Sequence, residues 1–289
     1  MIKLSHNLGW LHNFRTYPCP HGLDFEKTIE VIHCKGIAAL EFFPTLLEFS
    51  HNLKRIRHVV EKNHLYFYSG HLPMVGGVLS DDSSIREYLW KYMEEWLETF
   101  AELGITTAVA HPDDAYFSES ELAFKIENLL KYADFLGKVA QKYNMKIAVE
   151  TLWEKGQLFT KIEELEYFKK NLPRENVGFC FDTGHVFGTS DNRCWKNPQK
   201  HLEDVLMLIK DNIYNFHVHD TDVNSDKHLP LGEGSIDFER FFSLIKNLQP
   251  DFPITIEISP RHISGQINSL NIDEALDNLY KTFWAYINC

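Results

Sequence analysis

The chain has 289 residues, of which 44% are hydrophobic, 13% aromatic and 24% charged. This composition excludes collagen-like, low-complexity, coiled-coil and disordered chains, and the length excludes a small disulfide-stapled module. With 41 Asp and Glu against 29 Lys and Arg the net charge is −12, so bulk attraction cannot bring in a polyanion; that would take a local basic patch or bound cations. Five scattered Cys, with no CxxC pair, form neither a zinc finger nor a disulfide framework and point to a reducing compartment. The segment Met1–Asn7 has no apolar stretch of the kind a signal peptide carries, and no run of 18 apolar residues occurs. A cytoplasmic location is the expectation.

In chain order, short apolar and mostly β-favouring runs occupy residues 2–6, 37–42, 65–71, 105–111, 145–150, 177–182, 213–219 and 253–258. Each reads as a strand buried on both faces. Amphipathic segments at helical spacing lie between them, over residues 24–34, 84–103, 118–143, 160–171, 198–211, 237–247 and 272–287. Ser118 and Glu121 form a capping-box pattern at the start of the third of these, and Gly36 and Gly104 follow the first two. A basic cluster, Lys54, Arg55, Arg57 and His58, falls within a further helix and reads as a solvated face. Eight strand–helix units predict a closed parallel (β/α)8 TIM barrel. The competing open doubly wound sheet wants a Gly-rich phosphate loop after the first strand, and the sequence there, His6-Asn7-Leu8-Gly9-Trp10-Leu11-His12, is not one. No linker or composition shift divides the chain, so residues 1–289 read as a single barrel domain.

Active sites of such barrels sit where the strands end. The third to eighth apolar runs end at or carry His71, His111, Glu150, Asp182, His217 and Glu257, spaced 32 to 40 residues apart. Burying this many ionisable groups together is costly unless cations compensate, and imidazole and carboxylate are ordinary ligands of divalent metals. Asp226 and His228, in D-x-H spacing after strand seven, are able to face one ion, and Asp182 and His185 sit three apart across a Gly-containing turn. Any one of these alone is equally a hydrogen-bonded core or solvated loop residue; the conjunction argues for metal. With His217 facing the axis, His219 is expected to face away and to be structural. His6, His12, His21 and His262 read as structural or peripheral, with His6, at the end of strand one, also a possible substrate contact.

Together the stretches Gly70-His71, His111-Pro112, Val149-Glu150, Phe181-Asp182-Thr183-Gly184-His185, His217-x-x-Asp220, Asp226-Lys227-His228 with Gly232-Glu233-Gly234, and Ile256-Glu257 resemble the superfamily of sugar-phosphate isomerases/epimerases and endonuclease IV, the xylose-isomerase-like barrels. The resemblance spans about two-thirds of the chain, from strand three to strand eight. It implies a central ion held by Glu150, Asp182, His217 and Glu257. It also implies the fuller set of the endonuclease IV branch, in which His71, His111 and Glu150 hold one ion, Glu150 bridges to the second, and His185, Asp226 and His228 hold a third. One to three divalent ions per chain, Zn²⁺ or Mn²⁺, are therefore expected.

Two chemistries follow. The first is isomerisation or epimerisation of a small sugar or sugar phosphate beside a metal-polarised carbonyl, with Glu150 and Glu257 on opposite sides of the ligand ring as base and acid, and His185 on a substrate hydroxyl or the third ion. Trp10, Phe43 and Trp153 are candidates to stack on a sugar, and Arg261 to bind a phosphate. The second is multi-metal phosphoester hydrolysis, as in endonuclease IV. The acidic chain, and a loop after strand three (residues 72–79) without Lys or Arg, lower the expectation of a nucleic-acid partner and favour a small carbohydrate. A barrel that binds metal or ligand without turnover ranks last, since no ligand position is broken.

Overall fold

A computed structural model describes residues 2–8, 25–44, 53–189, 191, 193–258 and 272–288. Eight parallel strands close into a barrel in chain order: β1 (Leu4–Asn7), β2 (Ala39–Phe42), β3 (Phe67–His71), β4 (Thr107–Ala110), β5 (Lys146–Glu150), β6 (Val177–Asp182), β7 (Ile213–Val218) and β8 (Ile254–Ile256). β8 closes the ring on β1, with Ile256 opposite His6. The expected runs are strands, trimmed by up to two residues at their ends. The trimming matters at β4, β7 and β8, because His111, His219 and Glu257 stand just beyond the strands that aim them.

The helices described are α1 (Phe25–Cys34), α2 (Leu53–Lys62), α3 (Ser83–Glu102), α4 (Glu119–Gln141), α5 (Ile162–Lys170), α6 (Thr183–Gly188), α7 (Pro198–Ile209), α8 (Phe238–Leu248) and α9 (Ile272–Asn288). Local chemistry sets where several begin. Asp82 accepts the Ser84 N–H at 2.8 Å to start α3, and Glu121 reaches back to the Ser118 N–H at 2.8 Å to start α4. Asn197 caps α7, and Pro198 takes its first position, where an N–H would be unpaired anyway. Sequence periodicity did not single out α6; it is one short turn directly on the end of β6. The basic cluster lies on α2, where Arg55 pairs with Glu26 and Arg57 with Glu61. Among the described residues, no helix is long and apolar enough to cross a membrane.

The apolar core lies between sheet and helices, with Leu97, Phe100, Leu129, Phe168, Leu206, Phe241, Phe242 and Phe283 all buried. The barrel interior is different. Toward the mouth it is polar: Asn7, Glu41, Ser69, Asn215, His217 and Thr255 are buried and bond across the barrel. Among them, Val109, Ala148 and Cys180 pack as a small apolar cluster, with Val109 paired to His71 and Cys180 to Glu150 and Asn215. The pairing register skips a residue between Leu40 and Glu41 against β3, and between Phe179 and Cys180 against β7. Such irregularities re-aim side chains near a site, and the first falls on a carboxylate that enters the interior network.

Candidate metal centre

Glu150 ends β5 and belongs to three groups of donor atoms, with His71 and His111, with Asp182, His217 and Glu257, and with Cys180 and His217, while a fourth group lies around Asp226. Glu150 Oε2 lies 3.2 Å from His71 Nε2 and 3.4 Å from His111 Nε2. Its Oε1 lies 3.1 Å from His217 Nδ1. The same His217 nitrogen is 2.7 Å from Glu257 Oε2 and 3.9 Å from Asp182 Oδ2. To one side, Asp226 Oδ2 lies 3.1 Å from His228 Nε2 and 3.5 Å from His185 Nε2. Donor atoms within each of the sets His71/His111/Glu150, Glu150/Asp182/His217/Glu257 and His185/His219/Asp226/His228 lie within 4.8 Å of one another. Bonds of about 2.0–2.2 Å in a tetrahedron put neighbouring donors about 3.3–3.6 Å apart, so the spacing suits single ions.

Backbone and carboxylate acceptors orient the rings. His71 Nδ1–H donates to the Leu72 carbonyl at 2.7 Å, His185 Nδ1–H to that of Thr151 at 2.8 Å, and His228 Nδ1–H to that of Glu257 at 3.1 Å. His111 Nδ1 is held by Asp114 at 2.7 Å. His71 and His111 thereby present Nε2 to Glu150, and His185 and His228 present theirs to Asp226, with His185 Nδ1 also 3.4 Å from Glu150 Oε1. This outer shell fixes tautomer and direction in metal-binding histidines.

The electrostatics describe a tightly interacting cluster of imidazoles and carboxylates. Burial opposes charge on His111, but the Asp114 and Glu150 carboxylates outweigh it and push its pKa up to about 10. Burial is likewise overcome at His228, which Asp226 raises to about 9, at His185, held well above the ordinary imidazole range by Asp182 and Asp226, and at His217, held well above it by Cys180 and then by Glu257, Glu41 and Glu150. Glu150 and Asp226 are driven the other way, well below the usual carboxylate range, because the imidazoles around them outweigh burial. Charged imidazoles thus offset the buried carboxylates. Even so, the buried oxygens Asp182 Oδ2 and Asp226 Oδ1 find no hydrogen-bond partner. Orphaned acceptors of this kind are costly without a cation, and oxygen and imidazole donors suit divalent ions.

Residues 22–282 match the sequence profile of the family described as xylose isomerase-like TIM barrel. The chain belongs to that family. This xylose isomerase-like barrel is 25% identical over 252 residues to a probable endonuclease 4 of Aster yellows witches'-broom phytoplasma, a match covering 79% of the chain and 83% of the relative. Among solved structures it resembles D-psicose 3-epimerase with D-fructose, with a TM-score of 0.75 at 14% identity and full coverage of both chains. It also resembles the IOLI protein solved with a zinc atom, with a TM-score of 0.74 at 18% identity over 99% of this chain and 98% of that one. Relatives and neighbours thus carry the names of both sugar epimerases and endonucleases.

All nine residues singled out from the sequence (His71, His111, Glu150, Asp182, His185, His217, Asp226, His228 and Glu257) converge at this one mouth. Glu150 and Glu257 both lie against the same nitrogen of His217. One expectation needs correcting. His219 does not turn away: strand side chains repeat every two residues, so His219 shares the face of His217 and continues it just beyond the end of β7. Its Nε2 reaches Asp182 Oδ1 at 3.0 Å and its ring stacks on His228 at 3.8 Å. Asp182 Oδ1 also accepts the His185 N–H at 2.7 Å, capping α6, so one oxygen is tied down and Oδ2 turns to the centre.

Sequence reasoning passed over Glu41, which is buried against His217, and Asp114, which orients His111. Asp220, quoted in the His217-x-x-Asp220 stretch without a role, folds the loop after β7 by accepting the N–H groups of Thr221, Gly232, Gly234 and Ile236. Glu41 did carry a signal, as a carboxylate inside an apolar run. His6 is buried and meets the Tyr280 hydroxyl at 2.8 Å. Phe43 lies 5.1 Å from the His71 ring, and Trp153 is half-buried in the loop after β5. Trp10, His12, His21, Arg261 and His262 lie outside the described residues.

Proposed function

We propose that this chain is a metal-dependent isomerase or epimerase of a small sugar or sugar phosphate, with Glu150, Asp182, His217 and Glu257 as the central ligands. The observation that carries the reading is the placing of Glu150 Oε1 and Glu257 Oε2 at 3.1 and 2.7 Å from one ring nitrogen. A bound divalent ion would polarise a substrate carbonyl and make the carbon beside it acidic. Glu150 and Glu257 then stand within reach of that carbon, one to take its proton and the other to return one, a service worth about 10²–10⁴-fold. His185, aimed by the Thr151 carbonyl, holds a substrate hydroxyl or a neighbouring ion. Phe43, against His71, shields the mouth from water. In support, loop 72–79 presents no Lys or Arg to a polyanion, and the chain is acidic.

A second reading, multi-metal phosphoester hydrolysis, is favoured by the flanking groups, His71 with His111 and His185 with Asp226 and His228. One developing oxyanion needs one ion, whereas a phosphate with charge spread over several oxygens suits clustered ions.

The discriminating experiment offers metal-loaded protein a panel of ketoses and ketose phosphates in deuterated water, and abasic-site DNA at physiological salt in parallel. Deuterium entering the substrate carbon, lost in both Glu150→Gln and Glu257→Gln, is the expected result. Prompt DNA cleavage that disappears in Asp226→Ala, with no deuterium uptake, would replace the first reading by the second.

A further inference from the structure

Four of the five imidazoles nearest Glu150 and Asp226 follow one rule. His71, His111, His185 and His228 give Nδ1 to an outer acceptor and turn Nε2 to Glu150 or Asp226, although His185 Nδ1 also lies 3.4 Å from Glu150 Oε1. His217 is reversed. Its Nδ1 faces Glu150, Asp182 and Glu257, and its Nε2 points down the barrel. There it meets both oxygens of Glu41, at 3.0 and 3.1 Å.

Glu41 is buried, and its remaining contacts also come from donors. Asn7 Nδ2 lies 2.6 Å from one oxygen; Ser69 Oγ and Asn215 Nδ2 lie 2.7 and 3.0 Å from the other. These groups come from β1, β2, β3 and β7, so the carboxylate is gripped across the barrel as a fixed acceptor. An acceptor beneath His217 keeps the ring proton on Nε2. A neutral ring then has its lone pair on Nδ1, the one atom of that side chain that faces the three central carboxylates.

We propose that Glu41 is the positioning residue of the central ion: it sets the tautomer of His217 and so makes Nδ1 a ligand. It touches neither ion nor substrate. The proposal rests on the metal-centre reading above and deepens it by assigning a residue outside the nine candidate ligands.

The test is zinc binding by the full chain, measured by chelator competition, for wild type and Glu41→Gln. The glutamine keeps the shape but sets an NH₂ group against surrounding donors, and partners of this kind are worth about 10–100-fold in metal affinity. A fall of that size in the tightest site, in a variant whose melting curve shows it folded, is expected. A folded Glu41→Gln that holds zinc within about twofold of wild type would overturn the proposal and leave the metal centre standing. Wild type that takes up no zinc would remove both. Should the variant fail to fold, long-range ¹H–¹⁵N spectra of zinc-loaded wild type decide the matter. His217, assigned by its loss in His217→Asn, is expected to keep its proton on Nε2 while the other site imidazoles keep theirs on Nδ1. A His217 protonated at Nδ1 in the loaded protein would overturn the assignment.

Discussion

His111 and His228 show at the level of single residues how the site couples to pH. Their folded pKa values, about 10 and about 9, lie above the ordinary imidazole value of 6.5. Such groups stabilise the metal-free fold fully below pH ~6.5 and progressively less as pH rises through 9 to 10. Glu150 and Asp226 are depressed, so their contribution is present above their ordinary values of 4.5 and 3.8 and is lost as pH falls below them. Metal-free protein should therefore melt highest between about pH 4.5 and 6.5 and lose stability toward pH 10. Ions must displace these protons, so zinc-loaded protein should reverse the alkaline trend, and calorimetry in buffers of different ionisation enthalpy should register proton release on binding. A melting temperature of the metal-free protein that climbs from pH 7 to 10 would contradict the electrostatic account. Gly184 makes a second residue-scale point: a Cβ there would lie 1.9 Å from His219 Cε1. Gly184→Ala must push that ring off Asp182, and a loss of about 1–3 kcal/mol in a denaturant melt is expected. The ligand residues were legible because each is a polar group closing an apolar run. His219 was not read as one of them, although residues two apart on a strand share a face and His217 therefore pointed to it. Nor was Asp114, whose role depends on where the His111 ring points.

At the scale of elements, the strands supply direction and the loops supply closure. Asp220 accepts four backbone N–H groups from Thr221 to Ile236 and so folds the segment that carries Asp226 and His228. Asp220→Ala leaves those donors without their acceptor. We expect a loss of about 2–4 kcal/mol, with faster hydrogen exchange confined to residues 221–236 and weaker binding at the Asp226 group. Unchanged exchange in that segment would show that the loop holds itself. The loop after β3 is pinned in the same way, since Asp113 accepts the Gly77 and Leu79 N–H groups at 2.8 Å and Lys125 reaches the Leu79 carbonyl at 3.1 Å. Apolar runs and helical spacing made the major elements readable to within two residues in most cases. The short α6 escaped because its signal is a single cap, Asp182, rather than a period. The polar barrel interior escaped as well: Ser69 and Asn215 look like interruptions of a strand until Glu41 is seen between them.

Across the whole molecule, an acidic chain folds into a family barrel whose mouth gathers imidazoles and carboxylates from strands that are distant in sequence. Eight strand-like runs and the absence of a Gly-rich phosphate loop were enough to tell the closed barrel from an open sheet. The chemistry of the site was readable as residue types, but the grouping around Glu150 depends on register and on which ring nitrogen faces inward. The central claim is that cations hold this mouth together. It is tested most directly by anomalous scattering at the zinc edge from crystals of zinc-loaded protein. We predict a peak among Glu150, Asp182, His217 and Glu257, with a further peak beside Asp226 or beside His71 and His111. A folded protein with no peak at the mouth, its imidazoles and carboxylates still paired only with one another, would contradict the account.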